Sequence, residues 1–255
     1  EISGASSANN IRIVGQGAGN TTISHSATGT SDMATILLDG ADFVTIDSLT
    51  VLAAGSSYGA TVWFTNAADS NAISNCSLIG DLGSTTSIRC NVVFSASTTS
   101  AYGTGNSGNN NRIVNNLIRG GYFGISQYAS TSSSSSTWAT GMWVEGNEFY
   151  RGYYGMYFRG SSNKKIIANK VDSGGYMTLY NYYSNADSVV RNVFNASSSA
   201  YYNIYFYYSN YSGSSTSDTT YFINNMVSNS STYTFRGWYN YRTLFYNNSF
   251  SSGVT

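Results

Sequence analysis

The amino-acid sequence predicts an all-β protein, a single right-handed parallel β-helix of about nine coils with three strands per coil. Three observations support this prediction: a composition typical of strands and tight turns, an asparagine motif that recurs along the chain, and a second motif of alternating apolar residues between its copies. Because the repeat runs along the whole chain, we expect one domain, residues 1–255, built as a solenoid with a partial asparagine ladder.

The composition excludes several other classes of protein. Lys and Arg together number 12, as do Asp and Glu, and only 9% of the residues are charged. A nucleic-acid-binding protein needs an excess of basic residues to neutralise phosphates, so no nucleic-acid partner is expected. Aromatic residues make up 15% of the chain, which excludes a disordered polar chain. No segment approaches the roughly 18 consecutive apolar residues that a membrane span needs.

Proline is absent from all 255 residues. An average composition gives roughly a dozen prolines in a chain of this length. Proline has no N–H to donate to a β ladder, so it is confined to sheet edges and bulges. Its absence is typical of a fold in which nearly every strand has a hydrogen-bonded neighbour on both sides.

An asparagine motif forms the repeat: an apolar residue, two variable residues, asparagine, one variable residue and a second apolar residue. It occurs at residues 113–118, 144–149, 166–171, 189–194, 222–227 and 245–250. Its shortest interval, about 22 residues, suits one coil of three short strands and three turns. Asparagine tolerates left-handed turns, and its side-chain amide both donates and accepts, so stacked copies predict a buried ladder. The ladder residues are Asn116, Asn147, Asn169, Asn192, Asn225 and Asn248, with Leu49 and Cys76 as apolar fillers of the same position upstream.

A second motif, apolar-x-apolar, lies between copies of the first. It occurs at residues 36–38, 62–64, 123–125, 156–158, 177–179, 204–206 and 233–235. Side chains alternate between the two faces of a strand, so the two apolar residues point inward and the residue between them points outward. This pattern places Trp63, Tyr157 and Tyr205 on the outside of the predicted β-helix.

Three stretches of the chain resemble a known family. Residues 34–51 (ATILLDGADFVTIDSLTV), 64–78 (FTNAADSNAISNCSL) and 108–125 (GNNNRIVNNLIRGGYFGI) resemble coils of the pectin-lyase-like right-handed β-helices. Together they look like the large, low-charge surface proteins that the type IX secretion system of Bacteroidota exports, several of which are adhesins connected with gliding. The resemblance implies an extracellular location at the bacterial cell surface. Both chain ends look like cuts in a longer secreted polypeptide, so flanking domains of the same chain are expected partners.

Aromatic residues, tyrosine above all, crowd the second half of the chain. Rigid amphipathic rings suit contact with sugars or with another protein. We therefore expect the partner to be an extracellular polysaccharide or surface, or another cell-surface protein. The alternative is that the rings cover the flank of the solenoid or pack beneath loops. The candidate ligand-binding residues are Trp63, Tyr157, Tyr180, Tyr182, Tyr205, Tyr207, Trp238 and Tyr239.

The acidic residues show no catalytic pattern. The pectin-lyase-like fold hosts lyases and hydrolases as well as passive stalks, and a hydrolase needs paired carboxylates. Asp47 and Glu145 share a position in the repeat but lie in distant coils, and Glu148 faces Lys170 of the next coil as an expected ion pair. No Cys/His set has the spacing of a metal site. We expect no catalytic residue, metal or cofactor and a structural, adhesive function; the alternative is a polysaccharide lyase or glycoside hydrolase.

Three intervals between the apolar-x-apolar motif and the next asparagine motif are unusually long. They contain residues 95–111, 128–138 and 209–219, so all three loops are expected to leave the β-helix at the same corner. Insertions on one face of a solenoid often build its binding face. Loops that merely decorate the surface are an equal alternative.

The sequence also offers candidate cysteine and modification sites. Cys76 occupies an inward position, so it is either a buried thiol or bridged to Cys90, which an extracellular location would permit. The triplets that begin at Asp187 and Asp218 resemble an O-glycosylation motif known in Bacteroidota. Ser188 and Thr219 are the candidate acceptors because they are expected near exposed turns.

Overall fold

Three parallel β-sheets wind around one interior in the computed structural model, which describes residues 5–210 and 218–252. The chain passes from a strand of sheet A to one of sheet B and one of sheet C, and then begins the next coil one strand further along. This is the predicted parallel β-helix of nine coils. Crossover connections between parallel strands are almost always right-handed, which agrees with the predicted hand.

The strands of the three sheets are short. Sheet A consists of β1 (Ile11–Val14), β4 (Val44–Asp47), β7 (Ala72–Ser74), β10 (Arg112–Val114), β14 (Trp143–Glu145), β17 (Lys165–Ile167), β20 (Ser188–Val190), β23 (Thr220–Ile223) and β26 (Thr243–Tyr246). Sheet B consists of β2 (Thr22–His25), β5 (Thr50–Ala53), β8 (Ser77–Ile79), β11 (Leu117–Arg119), β15 (Glu148–Tyr150), β18 (Lys170–Gly174), β21 (Val193–Ala196), β24 (Met226–Ser228) and β27 (Ser249–Ser251).

Sheet C faces the two others and carries the longest strands. It consists of β3 (Ala34–Asp39), β6 (Ala60–Thr65), β9 (Val92–Ser95), β12 (Phe123–Tyr128), β16 (Tyr154–Ser162), β19 (Met177–Asn185), β22 (Tyr202–Ser209) and β25 (Tyr233–Trp238), with β13 (Ala139–Thr140) beside β16. A 3₁₀ turn, Ser135–Thr137, precedes β13. Within the described ranges, no helix is long and apolar enough to cross a membrane.

The asparagine motif spans the corner between sheets A and B. Its two apolar residues point inward from the two strands, and its asparagine lies in the turn between them. Each ladder asparagine accepts, through Oδ1, from the backbone N–H and the Nδ2 group of the asparagine one coil earlier; from Asn147 to Asn169 both distances are 3.0 Å. The ladder continues in this way from Asn116 to Asn248. The predicted buried ladder is therefore present.

Leu49 and Cys76 occupy the same column in earlier coils, as predicted, and both are buried. Asn116 Oδ1 accepts from the backbone N–H of Cys76 at 2.9 Å, so the ladder of amides begins there. Both cysteines are free thiols, and the alternative of a disulfide between them is not realised. Cys90 packs on the outside of sheet C, where burial raises the pKa of its thiol to about 12 and keeps it protonated.

The left-handed turn residue is not the ladder asparagine, which differs from our expectation. Positive φ occurs at the residue just before it, which in successive coils is Asn115, Gly146, Ala168, Arg191, Asn224 and Asn247. That residue lies at the surface, in the turn that leads the chain from sheet A to sheet B. The asparagine can therefore keep its side chain inside the solenoid, where its amide joins neighbouring coils.

One continuous hydrophobic core fills the interior. Ile113, Val144, Ile166 and Val189 are register partners on successive strands of sheet A, and each has 0% exposure. Burying a side chain of this size contributes roughly 1.5–3 kcal/mol. Because most strands have neighbours on both sides, a residue without an N–H would break a ladder almost anywhere, which accounts for the absence of proline.

The three long loops leave the β-helix at the corner between sheets C and A, as predicted. They follow β9, β12 and β22, and residues 211–217 of the third loop lie outside the described ranges. The first loop folds back over the outer face of sheet C, where Ala101 packs against Trp63 and Val93. It covers the outer side chains of β6 and β9, whereas Leu37 of β3 is exposed and the strands from β16 onward keep partly exposed outer side chains.

A second polar column, which the sequence repeat does not reveal, lies at the corner between sheets C and A. The backbone N–H of Val44 donates to Asn71 Oδ1 at 2.8 Å, and the N–H of Asn71 donates to Asn111 Oδ1 at 2.9 Å. Further along the solenoid, the N–H of Lys164 donates to Asp187 Oδ1 at 3.0 Å. This column therefore holds two charged residues inside the solenoid.

We expect Asn169→Ala to destabilise the protein strongly. The change removes the acceptor of two hydrogen bonds from Asn147, and it removes the donor to Val144 O and Asn192 Oδ1. An unsatisfied buried group costs about 1–3 kcal/mol, so the free energy of unfolding should fall by at least about 2 kcal/mol. Urea denaturation followed by circular dichroism measures the loss. Lys170→Ala, at the exposed next position, is the control, and an equal loss in both variants would contradict the role of the ladder.

Candidate functional site

The outer face of sheet C carries columns of aromatic and arginine side chains over its later coils. In-register parallel strands place equivalent residues about 4.8 Å apart, so like side chains stack. The first column is Tyr157, Tyr180, Tyr205 and Arg236, and the second is Tyr128, Arg159, Tyr182, Tyr207 and Trp238. Together with three corner tyrosines, Tyr183, Tyr208 and Tyr239, they form what we call the tyrosine surface.

Rings on adjacent coils of the tyrosine surface are in direct contact. The ring centres of Tyr182 and Tyr207 lie 4.6 Å apart with their planes inclined by 27°. Those of Tyr157 and Tyr180 lie 4.9 Å apart. Each such pair contributes about 0.5–1.5 kcal/mol beyond the area it buries. Because stacked neighbours cover much of each ring face, the surface offers ring edges and hydroxyl groups to a ligand.

The corner tyrosines lie close to the ends of three strands of sheet C, β19, β22 and β25. Their φ angles are 52° at Tyr183, 53° at Tyr208 and 50° at Tyr239. A left-handed backbone at a residue other than glycine lowers the stability of the fold by roughly 1–2 kcal/mol. Stacking of the Tyr208 ring on the Tyr239 ring, with centres 4.7 Å apart, contributes a similar stabilisation. These tyrosines thus change the net stability little, and the core does not require them. In earlier coils the same left-handed position is held by Gly40, Asn66 and Gly160.

Two arginines supply the charge of the tyrosine surface. The guanidinium of Arg159 lies 4.4 Å from the ring centre of Tyr182 and donates to the hydroxyl of Tyr128 at 2.9 Å. The guanidinium of Arg236 lies 4.7 Å from the ring of Trp238. No acidic residue occurs in β16, β19, β22 or β25. These four strands therefore carry a net positive charge although the whole chain is neutral.

Burial among neighbouring rings raises the pKa of several phenols. Desolvation raises the pKa of Tyr157 to about 12. It also raises the pKa of Tyr180 and of Tyr205. These hydroxyls therefore stay neutral hydrogen-bond donors above the ordinary tyrosine pKa of about 10.

Trp63 is not part of the tyrosine surface, which corrects the prediction. Its side chain points outward from β6, but it is only 1% exposed because the first long loop covers it. Its Nε1 donates to the carbonyl of Ser97 in that loop at 2.9 Å. The other predicted rings, from Tyr157 to Tyr239, all lie on the tyrosine surface.

Sequence reasoning missed Tyr128, Arg159, Arg236, Tyr183 and Tyr208. A signal for the corner tyrosines was available, because adjacent aromatic residues recur at the end of three successive strands of sheet C. These pairs are Tyr182-Tyr183, Tyr207-Tyr208 and Trp238-Tyr239. For the arginines, the available signal was the alternation of inward and outward side chains along each strand of sheet C, which places both arginines on the outside.

A cavity of ≈ 540 Å³ lies between the first and second long loops. Serine, threonine and asparagine residues of both loops line it, together with Trp138. The Nε1 group of Trp138 donates to the carbonyl of Ser132 at 2.9 Å, and its ring lies 6.4 Å from that of Tyr183. The second loop therefore adjoins the tyrosine surface.

The acids on sheet A do not form a catalytic pair. Asp47 accepts from Asn75 Nδ2 at 2.9 Å, and this hydrogen bond is the largest cause that lowers the pKa of the carboxyl group. Glu145, in a distant coil, accepts from Trp143 Nε1 at 2.7 Å. Among the described residues, no group of three or more His, Cys, Asp and Glu could hold a metal ion.

A groove on the outer face of sheet B brings two acids to one place. It is lined by Arg119, Glu148, Tyr150, Lys170 and Asp172, among others. Glu148 and Lys170 face each other in register, but no ion pair joins them in the part of the chain that the structure describes, contrary to our expectation. Glu148 and Asp172 are diagonal neighbours on adjacent parallel strands, two residues out of line, so the strand spacing and rise place their Cα atoms about 8 Å apart.

The two predicted glycosylation acceptors are half-buried. Ser188 is the first residue of β20 rather than a turn residue, and the side chain of Asp187 before it is fully buried. Thr219 lies just before β23. Glycosylation at either residue stays a prediction.

Comparison with solved structures agrees with the fold. The chain is similar to a GH136 lacto-N-biosidase from Eubacterium ramulus, with a TM-score of 0.60 and 10% identity over 96% of this chain and 58% of that one. It is also similar to PfbA, a surface adhesin of Streptococcus pneumoniae, with a TM-score of 0.40 and 12% identity over 85% of this chain and 62% of that one. No protein-family model and no curated protein matches the chain. The chain spans only part of both similar proteins, and the first likeness shows the fold alone.

We expect Tyr157→Phe to make the protein less sensitive to alkaline pH. The folded-state pKa of Tyr157, about 12, exceeds the ordinary value of 10.0, so the unfolded chain releases the phenol proton first. The stabilisation is therefore complete below about pH 10 and is lost as the pH rises towards about 12. Melting temperatures across this range measure the slope, with Tyr221→Phe, an exposed phenol on sheet A, as the control. A slope as steep as that of the unmodified protein would rule out this role for Tyr157.

Proposed function

We propose that the chain is a non-catalytic, adhesive β-helix whose tyrosine surface binds an extracellular polysaccharide. The observation that carries the proposal is the tyrosine surface itself, a contiguous array of rings with two arginines on the outside of sheet C, apart from the core. Contiguous aromatic patches on the outside of a protein mark interaction sites more often than isolated ones do. The array follows the solenoid axis, which suits a long, repeating ligand.

The chemistry of the surface suits sugars that carry negative charge. Ring edges and neutral hydroxyls can contact the C–H and O–H groups of successive sugar units. Arg159 and Arg236 add planar cations that match carboxylate or sulfate groups. With no carboxylate on the same strands to repel such a ligand, we expect acidic polysaccharides to bind more tightly than neutral ones.

An extracellular, cell-surface location is part of the proposal. The resemblance to type IX-exported adhesins of Bacteroidota, some connected with gliding, supports this location and implies flanking domains of the same chain. The fold of the chain is compatible with a rigid spacer that holds the tyrosine surface away from the cell. The complete reading frame of the gene, and surface labelling of cells that carry it, test these statements.

We expect Tyr182→Ala and Tyr207→Ala each to weaken polysaccharide binding about tenfold or more, because a buried aromatic anchor contributes at least about 1–2 kcal/mol. Binding of polygalacturonate, dextran sulfate and neutral dextran to the immobilised protein measures this. The matched control is Tyr221→Ala, which removes an exposed tyrosine from sheet A. Equal losses in all three variants, or no binding of any polysaccharide, would overturn the proposal and favour another cell-surface protein as partner.

The rival function is glycoside hydrolysis in the groove on sheet B. The observation that favours it is the diagonal pair Glu148 and Asp172, since inverting hydrolases hold two carboxyl groups about 6.5–9.5 Å apart. Incubation with the same polysaccharides discriminates the two functions. Depolymerisation that Glu148→Gln or Asp172→Asn abolishes would establish an enzyme, whereas binding without cleavage supports adhesion.

A further inference from the structure

A fully buried ion pair lies inside the solenoid, at the corner between sheets C and A. Lys164 Nζ and Asp187 Oδ2 are 2.9 Å apart, and both side chains have 0% exposure. Lys164 precedes β17, and Asp187 takes the same position one coil later, before β20. The ring of Phe158 lies 5.4 Å from Nζ. A charged pair in such a place is costly unless its geometry and further hydrogen bonds compensate.

A carboxamide shares the surroundings of the lysine amine. Lys164 Nζ lies 3.1 Å from Ser184 Oγ and 2.9 Å from Asp187 Oδ2, and it also donates to the carbonyl of Ser161 at 3.0 Å. Asn181 Nδ2 lies 2.9 Å from each of the same two oxygens. Two common acceptors therefore hold the amine and the amide side by side. Asn181 Oδ1 is buried and accepts no hydrogen bond from the residues that the structure describes.

Burial works against the positive charge of Lys164. Burial is the largest cause that lowers the pKa of the Lys164 ammonium group, although Asp187 opposes it. A lysine attacks as the neutral amine, so one proton of Nζ must first pass to Asp187, whose Oδ2 lies 2.9 Å away. A desolvated lysine amine is an effective nucleophile towards a carbonyl carbon.

We propose that Lys164 and Asn181 form an intramolecular amide bond, with Asp187 as the proton carrier. Lys164 Nζ bonds to Asn181 Cγ, and the bond from Cγ to Nδ2 breaks. Asp187 takes a proton from Nζ and gives one to Nδ2, which leaves as ammonia. No oxidant or reductant is needed, and the chain loses the atoms of one ammonia molecule.

The bond would close one coil of the solenoid into a covalent ring. The chain between Lys164 and Asn181 contains all of β17 and β18 and the first part of β19. A covalent closure restricts the unfolded chain, so it raises stability. It would also prevent this coil from being pulled open along the chain, beneath the part of sheet C that carries the tyrosine surface.

Mass spectrometry of the purified 255-residue chain tests the proposal. Under denaturing conditions we expect an intact mass lower than that of the sequence by one ammonia. Proteolysis should yield a branched peptide that joins the segments containing Lys164 and Asn181. Asp187→Asn and Lys164→Met should both restore the full mass, whereas Lys165→Met, at the exposed neighbouring lysine, should keep the deficit.

Each other outcome overturns the proposal. An intact mass that equals the sequence mass means that no bond forms in the unmodified protein, whatever the variants do. Loss of one ammonia with only linear peptides indicates a cyclised asparagine instead. Loss of one water, with a branched peptide through residue 187, assigns the bond to Asp187 rather than to Asn181. Thermal melting of the Asp187→Asn variant, compared with the unmodified protein, reports whether the closed coil raises the melting temperature.

Discussion

In-register stacking of equivalent residues on successive coils is the constraint on which the rest of the structure depends. The asparagine ladder enforces it, because each amide accepts two hydrogen bonds from the coil before it. The repetition that stacks isoleucine and valine inside also stacks tyrosine and arginine outside. A shift of one residue in any coil would move apolar side chains to the surface and break both arrays together.

The sequence was sufficient to predict the architecture because the motif marks both faces of a corner. The two apolar residues of the motif predict which positions point inward. The asparagine between them, such as Asn169, predicts the ladder. What it could not predict depends on contacts distant in the chain. The alternation along the strand places Trp63 on the outside, yet the loop that follows β9 covers its ring. Lys164 and Asp187 fall outside both motifs, so only the stacking of coils shows that they meet.

The tyrosine surface and the buried amine site lie on opposite sides of the same strand. In β19, Tyr180 and Tyr182 point outward and Asn181 points inward. A surface that grips a polymer transmits tension to the coil beneath it, and this coil is the one that a covalent bond would close. The two proposals are nevertheless independent. Binding of a polysaccharide does not determine whether the amide bond forms, and the mass of the chain does not determine which ligand binds.

Polysaccharide binding by Tyr208→Asn tests the central claim most directly. Asparagine suits the left-handed backbone of this corner, as Asn66 does in an earlier coil. Lost ring stacking and relieved strain should therefore nearly cancel, and the midpoint of unfolding should change little. We expect the binding of polygalacturonate or dextran sulfate to fall about tenfold, the loss of one aromatic contact. Unchanged binding by a stably folded variant would contradict a role for the tyrosine surface in adhesion.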